Sequence, residues 1–203
     1  MKHQRNPPEV NAGSMADIAF LLLIFFLVTT SLESNDGLQR MLPRPNAETA
    51  DIYERNILRI NINAQNKVLV ADNLINSKDL KNIVLDFVDN GGAQIDSPFY
   101  CEYCEGDRSS YSSDSPAKAI ISLTSSRNAS YDVYLDVQNQ LIDAYNSLRT
   151  REAIKRFTIS YSDLLLEYHK AENYSSEKVK LKSMIEEIRS LYPIKISEAE
   201  LKI

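Results

Sequence analysis

The sequence has few of the residues on which catalytic, metal-binding and nucleic-acid-binding sites depend. It contains only two histidines, His3 and His169, and two cysteines. It has neither a glycine-rich phosphate-binding loop nor the nucleophile elbow of a hydrolase. Its formal net charge is -5, and no stripe of lysine and arginine marks a face for nucleic acid. We therefore expect a protein that is not an enzyme, needs no cofactor and binds no nucleic acid.

The two cysteines, Cys101 and Cys104, form a C-x-x-C motif. A zinc site would need two further ligands, and the sequence has no second C-x-x-C, so we expect no metal. A thioredoxin-like centre would place the motif between a strand and a helix. Here Ser97-Pro98 precedes it and Glu105-Gly106-Asp107 follows it. In an oxidising compartment the favoured interpretation is a structural disulfide between the two cysteines, and a redox centre is the alternative.

One long apolar run stands out near the amino terminus. From Ile18 to Val28 the sequence reads IAFLLLIFFLV, without a polar side chain. With its flanks it covers residues 12–32, about 31 Å of helix, which is enough to cross a bilayer. A soluble core helix would show a polar face, and the run has none. A cleaved signal peptide would not begin its apolar region with an acid, and no A-x-A site follows. We predict an uncleaved transmembrane helix.

The charges on either side of residues 12–32 predict its orientation. Lys2 and Arg5 precede the span, whereas Glu33 and Asp36 follow it. Because positively charged flanks stay on the cytoplasmic side, residues 1–11 are predicted to be cytoplasmic. The chain from residue 33 onward would then lie outside, in the periplasm of a Gram-negative cell. The predicted location is the inner membrane, which the chain crosses once.

Asp17 lies about one and a half turns into the predicted span. An aspartate there costs about 2.5–3.5 kcal/mol, which the apolar neighbours can offset at about 0.3–0.6 kcal/mol each. The alternative is that Asp17 only marks the helix start, where the helix dipole favours an anion. Acids inside membranes are by default proton relays, so we interpret Asp17 as proton-carrying and Ser14 as a further candidate for the proton path or the helix start. One helix cannot form a channel, so a partner with several spans is implied.

The string SMADIAFLLLIFFLVTTSL, residues 14–32, resembles the transmembrane motif of the ExbD/TolR family of biopolymer transport proteins, particularly its Bacteroidetes-type versions. The tail YPIKISEAEL, residues 192–201, is similar to the end of ExbD-like proteins of that group. The resemblance implies that Asp17 is the protonatable residue. It also implies that a multi-span ExbB/TolQ-type subunit surrounds a pair of these helices, making a homodimer. The proton gradient would then energise a TonB-like or TolA-like transducer.

The resemblance leaves more than one function open. The leading hypothesis is an ExbD-type motor subunit that serves TonB-dependent transport across the outer membrane. A TolR-type subunit for envelope integrity is the nearest alternative. A different class of protein would be a membrane-tethered periplasmic redox or binding module, in which the helix is only an anchor. Asp17 argues against a mere tether, because an anchor has no use for an acid in the membrane.

Residues 33–55 are predicted to be a periplasmic linker, because they contain the turn-forming tripeptides NDG and PRP and lack apolar periodicity after Leu42. An unstructured spacer is one interpretation. The resemblance implies another, in which the segment just after the helix plugs the proton path at rest. The plug residues would then be Leu38, Leu42 and Pro43.

Residues 56–203 are predicted to form a small α+β domain with a helical C-terminal extension. Apolar alternation and helical spacing give strand, strand, helix, strand and helix. Residues 93–116 are interpreted as an inserted surface loop. Residues 151–203 are interpreted as an extension of two further helical stretches, ended by Pro193, that replaces a simple terminal strand.

Overall fold

The computed structural model describes residues 12–29 and 53–200, which belong to two compact units divided between residues 39 and 40. The first unit contains helix α1, Ala12–Thr29. Its large side chains, from Ile18 to Leu27, are 43–73% exposed. A helix that is apolar on every side needs surroundings other than water.

No helix within residues 12–29 and 53–200 is both long enough and apolar enough to cross a membrane. The predicted span over residues 12–32 overlaps α1 as far as Thr29, and residues 30–32 lie outside the described residues. That this segment crosses a membrane stays a prediction.

The second unit is built from five strands and four helices in the described residues. In chain order they are β1 (Ile57–Ile62), β2 (Val68–Val70), β3 (Asn73–Ile75), α2 (Leu80–Val88), β4 (Ile120–Ser125), α3 (Tyr131–Phe157), α4 (Tyr161–Lys170), α5 (Ser176–Leu191) and β5 (Ile196–Glu200). Short 3-10 turns precede β1 and α2.

The strands form one mixed sheet in the order β3-β2-β1-β4-β5. β2 runs antiparallel to β1 and to β3, whereas β4 runs parallel to β1 and to β5. Ile60 pairs with Leu123, and Ile121 pairs with Ile196. Alternate residues of β1 are buried, and Arg59 between them is exposed. A half-buried sheet of this kind puts one face against helices.

Helices α2 and α3 supply the other half of the main core. Val84 and Val88 of α2 lie one turn apart and are fully buried, as are Val137 and Leu141 of α3. Tyr145 continues the same line on α3 and is also fully buried. A second, smaller cluster lies where α4 and α5 pack on the last turns of α3; it contains Ala153, Tyr161, Leu164, Leu181, Ile185 and Ile188.

The predicted α+β class is confirmed for residues 53–200, and three details differ. The three-residue strand β3 was not predicted, because it is too short to show alternation. α3 continues to Phe157 instead of breaking near Arg149, and it ends where Thr158 adopts φ 61°. The prediction that helices replace a terminal strand was wrong. The chain follows α5 with β5, whose backbone pairing with β4 is a long-range contact that local sequence does not encode.

Replacing a core leucine of α3 tests this arrangement. Leu141→Ala is expected to lower the free energy of unfolding by about 3 kcal/mol, because Leu141 is fully buried and its removal leaves a cavity. Leu135→Ala, the same change in the same helix where the side chain is 39% exposed, should cost less than about 1 kcal/mol. Urea denaturation, monitored by the circular dichroism of the tyrosines, gives the free energy of unfolding of both variants. Equal losses of stability in the two variants would contradict the packing.

Candidate functional site

Asp17 is the one charged residue within Ala12–Thr29. Its side chain is exposed, and so are those of Met15 and Ile18 beside it, at 61% and 59%. The first turn of α1 contains no acidic residue, so Asp17 lies beyond the turn in which the helix dipole acts most strongly. The backbone of Ser14 lies one turn before Asp17 in the same helix. The predicted plug residues Leu38, Leu42 and Pro43 lie outside the described residues.

The structure joins Cys101 and Cys104 in a disulfide, with their Cα atoms 5.5 Å apart. Both cysteines are nearly inaccessible, at 2% and 5% exposure. The guanidinium of Arg108 donates hydrogen bonds to the carbonyl oxygens of both cysteines, each at 3.2 Å. Neither side of the motif is a regular strand or helix. Burial and this setting suit a structural bond better than a redox centre, whose sulfur must be reachable.

The inserted segment 93–116 is irregular, but its base is built into the domain. The buried side chain of Asn90 donates to the carbonyl oxygens of Ser109 and Ser113 at 2.9 and 2.8 Å, and it accepts from the Ser109 N–H at 2.9 Å. A Cβ at Gly106 would lie 2.6 Å from the carbonyl oxygen of Asp89. This close approach requires glycine, because any side chain would push the loop off the end of α2.

A second anchor fixes the far end of the insertion to the start of β1. The amide of Asn56 donates to the carboxylate of Asp114 at 2.9 Å, and the Asp114 N–H donates back to Asn56 at 2.8 Å. Arg55 forms an ion pair with the same carboxylate at 2.8 Å. The expectation of a surface loop therefore holds for the outer part, where Tyr111 is 91% exposed, and is wrong for the base.

A buried ionic cluster lies beneath the insertion, and sequence reasoning missed it. Asp89, just after α2, accepts two hydrogen bonds from Arg151 of α3, at 2.6 and 2.9 Å. The hydroxyl of Tyr192 donates to the same carboxylate at 2.7 Å and accepts from Arg151 at 2.7 Å. Glu105 adds a carboxylate 3.2 Å from Arg151. No local sequence pattern predicts this cluster, because its members lie far apart in the sequence.

The environment of the cluster shifts its titrating groups. Burial raises the pKa of Tyr192, and its hydrogen bond to Asp89 raises that pKa further. Burial opposes the charge of Arg151, but the hydrogen bond to Asp89 and the electrostatic interactions with Tyr192, Asp89 and Glu105 together outweigh it, so the pKa of Arg151 is raised. Both side chains therefore keep their protons at neutral pH. Neither Arg151 nor Tyr192 loses its proton near neutral pH, so their contacts with Asp89 do not change there.

Metal binding finds no support in the described part of the chain. No group of three or more histidine, cysteine, aspartate or glutamate side chains within residues 12–29 and 53–200 is placed to hold an ion. Both cysteines, the ligands that zinc would favour, are used in the disulfide.

A family model for the biopolymer transport protein ExbD/TolR matches residues 3–152. The chain belongs to the ExbD/TolR family. The match covers α1 with Asp17, strands β1 to β4, the insertion and most of α3, and it confirms the resemblance found in the apolar motif. Members of this family are transport motor subunits and not enzymes. Comparison with curated proteins finds no match to the sequence.

The family match ends one residue after Arg151, so α4, α5 and β5 lie beyond it. These elements still pack on matched ones: β5 pairs with β4, and Tyr192 contacts Asp89 and Arg151. The C-terminal segment thus lies beyond the matched residues and contacts them through strand pairing and through the ionic cluster.

Removing Arg151 tests the cluster. Arg151→Ala is expected to lower the free energy of unfolding by about 3 kcal/mol, because it leaves the charge of Asp89 buried without its partner. Arg59→Ala removes an ion pair with Glu54 in which both side chains are more than half exposed, so less than about 1 kcal/mol should be lost. Chemical denaturation at neutral pH compares the two variants. An Arg151→Ala variant as stable as the wild type would show that the cluster does not stabilise the domain.

Proposed function

We propose that this protein is an ExbD-type subunit of a proton-driven motor that energises TonB-dependent transport across the outer membrane. The observation that carries the proposal is the single acid, Asp17, in an otherwise uncharged apolar helix of an ExbD/TolR family member. Its carboxyl group can take up and release a proton. No other described group combines a titratable side chain with such surroundings.

The apolar helix is proposed to anchor the chain in the inner membrane. The sequence from residue 12 to 32 is long enough to cross the hydrocarbon layer, and α1 accounts for its first 18 residues. Its side chains are apolar on every side, which suits lipid and protein neighbours and is unfavourable in water. Lys2 and Arg5 before the helix favour a cytoplasmic amino terminus and a periplasmic domain.

Asp17 is proposed to carry the proton. In an apolar site the neutral carboxyl is favoured, so a proton taken up on one side lets the residue move through a partner's interior without a charge. Release on the other side restores the charge. Each elementary charge that crosses the membrane potential is worth about 2.3 kcal/mol per 100 mV, which is enough to drive a rotation or a rocking step. Asp17 lies beyond the first helical turn, and this position supports a proton role over simple stabilisation of the helix start.

The partners follow from the chemistry of one acid on one helix. An ExbB-type subunit with several spans would enclose Asp17, and a second copy of this chain would complete a pair of helices within it. A TonB-like transducer would receive the motion in the periplasm. We propose Ser14 as a neighbour of the proton path, and Leu38, Leu42 and Pro43 as the resting plug.

An ExbD-type role is favoured over a TolR-type role by the tail YPIKISEAEL, which is similar to the end of ExbD-like proteins. A tethered redox module is disfavoured, because Cys101 and Cys104 are only 2% and 5% exposed. A thiol-exchange centre needs an accessible sulfur.

The decisive test replaces Asp17. Asp17→Asn is expected to leave insertion and partner assembly intact and to reduce energised uptake to the level of a strain without the protein. Asparagine keeps the shape and polarity but has no titratable proton. Asp17→Glu should retain partial activity at best, because the acid moves by about one methylene in an enclosed site. Growth on a substrate that requires TonB-dependent uptake, at matched protein levels, gives the comparison.

The matched control is Asp143→Asn, the same change at an exposed aspartate on α3, which should grow like the wild type. If Asp17 only stabilised the helix start, Asn would serve as well and uptake would be normal. Normal uptake by Asp17→Asn would rule out the proton-carrying role.

Partner dependence gives an independent test. An affinity-tagged chain co-expressed with an ExbB-type subunit should purify from detergent as a stable complex, because Asp17 needs a protein-lined environment within the membrane. Expressed alone, the chain should give a lower yield and aggregate. Size-exclusion chromatography with light scattering measures both preparations. A monodisperse lone chain that ignores the multi-span subunit would contradict the motor assignment.

A further inference from the structure

The disulfide-bonded loop contacts the segment that leads into the last strand. Tyr103 lies between the two cysteines, and its hydroxyl donates to the carbonyl oxygen of Leu191, the last residue of α5, at 2.9 Å. Its ring packs edge to face on Tyr192, with ring centroids 5.5 Å apart. Tyr192 precedes the first residue of β5, Ile196, by one short connection. The four-residue disulfide ring therefore presents one side chain directly to the α5–β5 junction.

The residue after the disulfide strengthens the same junction. The backbone N–H of Glu105 donates to the carboxylate of Asp89 at 3.2 Å, and its side chain pairs with Arg151 at 3.2 Å. Asp89 and Arg151 are the two groups that bind the hydroxyl of Tyr192. Tyr192 is thus held at its ring by Tyr103 and at its hydroxyl by partners that Glu105 also contacts. The ring contact depends on the path of the loop through Cys104, whereas Arg149 of α3 binds the carbonyl oxygen of Tyr192 at 3.1 and 2.7 Å without the loop.

Apart from the contacts of Tyr192, strand β5 is held by its pairing with β4, by hydrogen bonds from α3 to Glu198, including one from Gln138 at 2.5 Å, and by the packing of Ile196 on the main core. It has five residues, lies at the edge of the sheet and, among the described residues, pairs with β4 alone. Glu198 accepts a hydrogen bond from Tyr134 of α3 at 3.0 Å, and the N–H of Ile121 donates to the carbonyl oxygen of Lys195 at 2.9 Å. Short edge strands open at low free-energy cost, so a change in the contacts of Tyr192 should alter how often β5 leaves the sheet.

We propose that the Cys101–Cys104 disulfide is a redox-sensitive latch for β5. In the oxidised form the loop holds Tyr103 and Glu105 against the junction. A dithiol reductant cleaves the S–S bond, the two cysteines each gain a proton as thiols, and the reductant becomes a cyclic disulfide. The ring then opens, Tyr103 loses its fixed position and β5 leaves the edge of β4 more often.

The burial of the cysteines makes the coupling reciprocal. Each cysteine is at most 5% exposed while the junction is docked, so a reductant reaches the bond only when the loop opens. If reduction favours release of β5, release of β5 must favour reduction to the same degree. This inference concerns residues 89–200 and does not depend on the proposed role of Asp17.

Hydrogen exchange of the whole chain in detergent, read by mass spectrometry, tests the latch. Alkylation without prior reduction should first leave Cys101 and Cys104 unmodified. Treatment with dithiothreitol should then speed exchange of β5 amides about tenfold, as expected from loss of one buried hydrogen bond and one ring contact. Peptides covering β2 and β3, at the opposite edge of the sheet, serve as the internal reference and should change little.

Three variants separate the latch from a general loss of stability. Cys101→Ser with Cys104→Ser should exchange at β5 like the reduced wild type and respond no further to dithiothreitol. Tyr103→Phe keeps the ring and the disulfide but loses the bond to Leu191, so β5 should exchange a few times faster in the oxidised state. Tyr111→Phe, in the same loop and 91% exposed, should have no effect.

The proposal is overturned by any of three results. Free thiols in the untreated protein would remove the bond on which it rests. Equal β5 exchange before and after reduction would show that the bond does not reach the strand. If amide exchange accelerated at β2 and β3 as much as at β5, the disulfide would stabilise the whole domain and would not act on β5 in particular. If the double serine variant fails to fold, the dithiothreitol series on the wild type decides alone.

Discussion

The buried carboxylate of Asp89 is the constraint on which the second half of the domain depends. A charge removed from water at this depth is tolerated only when it is paired and hydrogen-bonded. Arg151, Tyr192 and the Glu105 N–H meet that demand, each from a different part of the chain. Satisfying one acid therefore fixes the position of α3, the C-terminal segment and the insertion relative to the end of α2.

The structural role of Asp89 contrasts with the role proposed for Asp17. Asp89 has its ion-pair partner and its hydrogen-bond donors within the domain, and they hold it in one position. Asp17 is the one charged residue within α1, and the role proposed for it is to carry a proton. A carboxylate that is paired within its own domain serves structure, whereas the role proposed for Asp17 requires an acid that can take up and release a proton.

The ionic cluster also connects the residues that match the family model with the elements that follow them, α4, α5 and β5. Asp89 and Arg151 lie within the matched residues 3–152, and Tyr192 lies beyond them. Tyr192 contacts the matched region through its hydroxyl and through its carbonyl oxygen, which accepts two hydrogen bonds from Arg149, and β5 pairs with β4 at the edge of the sheet. The inserted loop contacts the same residue through Tyr103, so the insertion and the C-terminal segment meet there.

The sequence by itself determined the elements whose signal is local. The alternation of Leu58, Ile60 and Ile62 predicts β1, and the apolar run after Asp17 predicts both helix α1 and the family, because a charged group among so many apolar neighbours is costly and specific. The tertiary structure alone decided β5 and the cluster around Asp89. A parallel edge strand exists because β4 offers it backbone partners, and a buried ion pair exists because folding brings Asp89 and Arg151 together across 62 positions. Interactions between residues far apart in the sequence produce no periodic pattern of residue types. For that reason only the folded chain shows them.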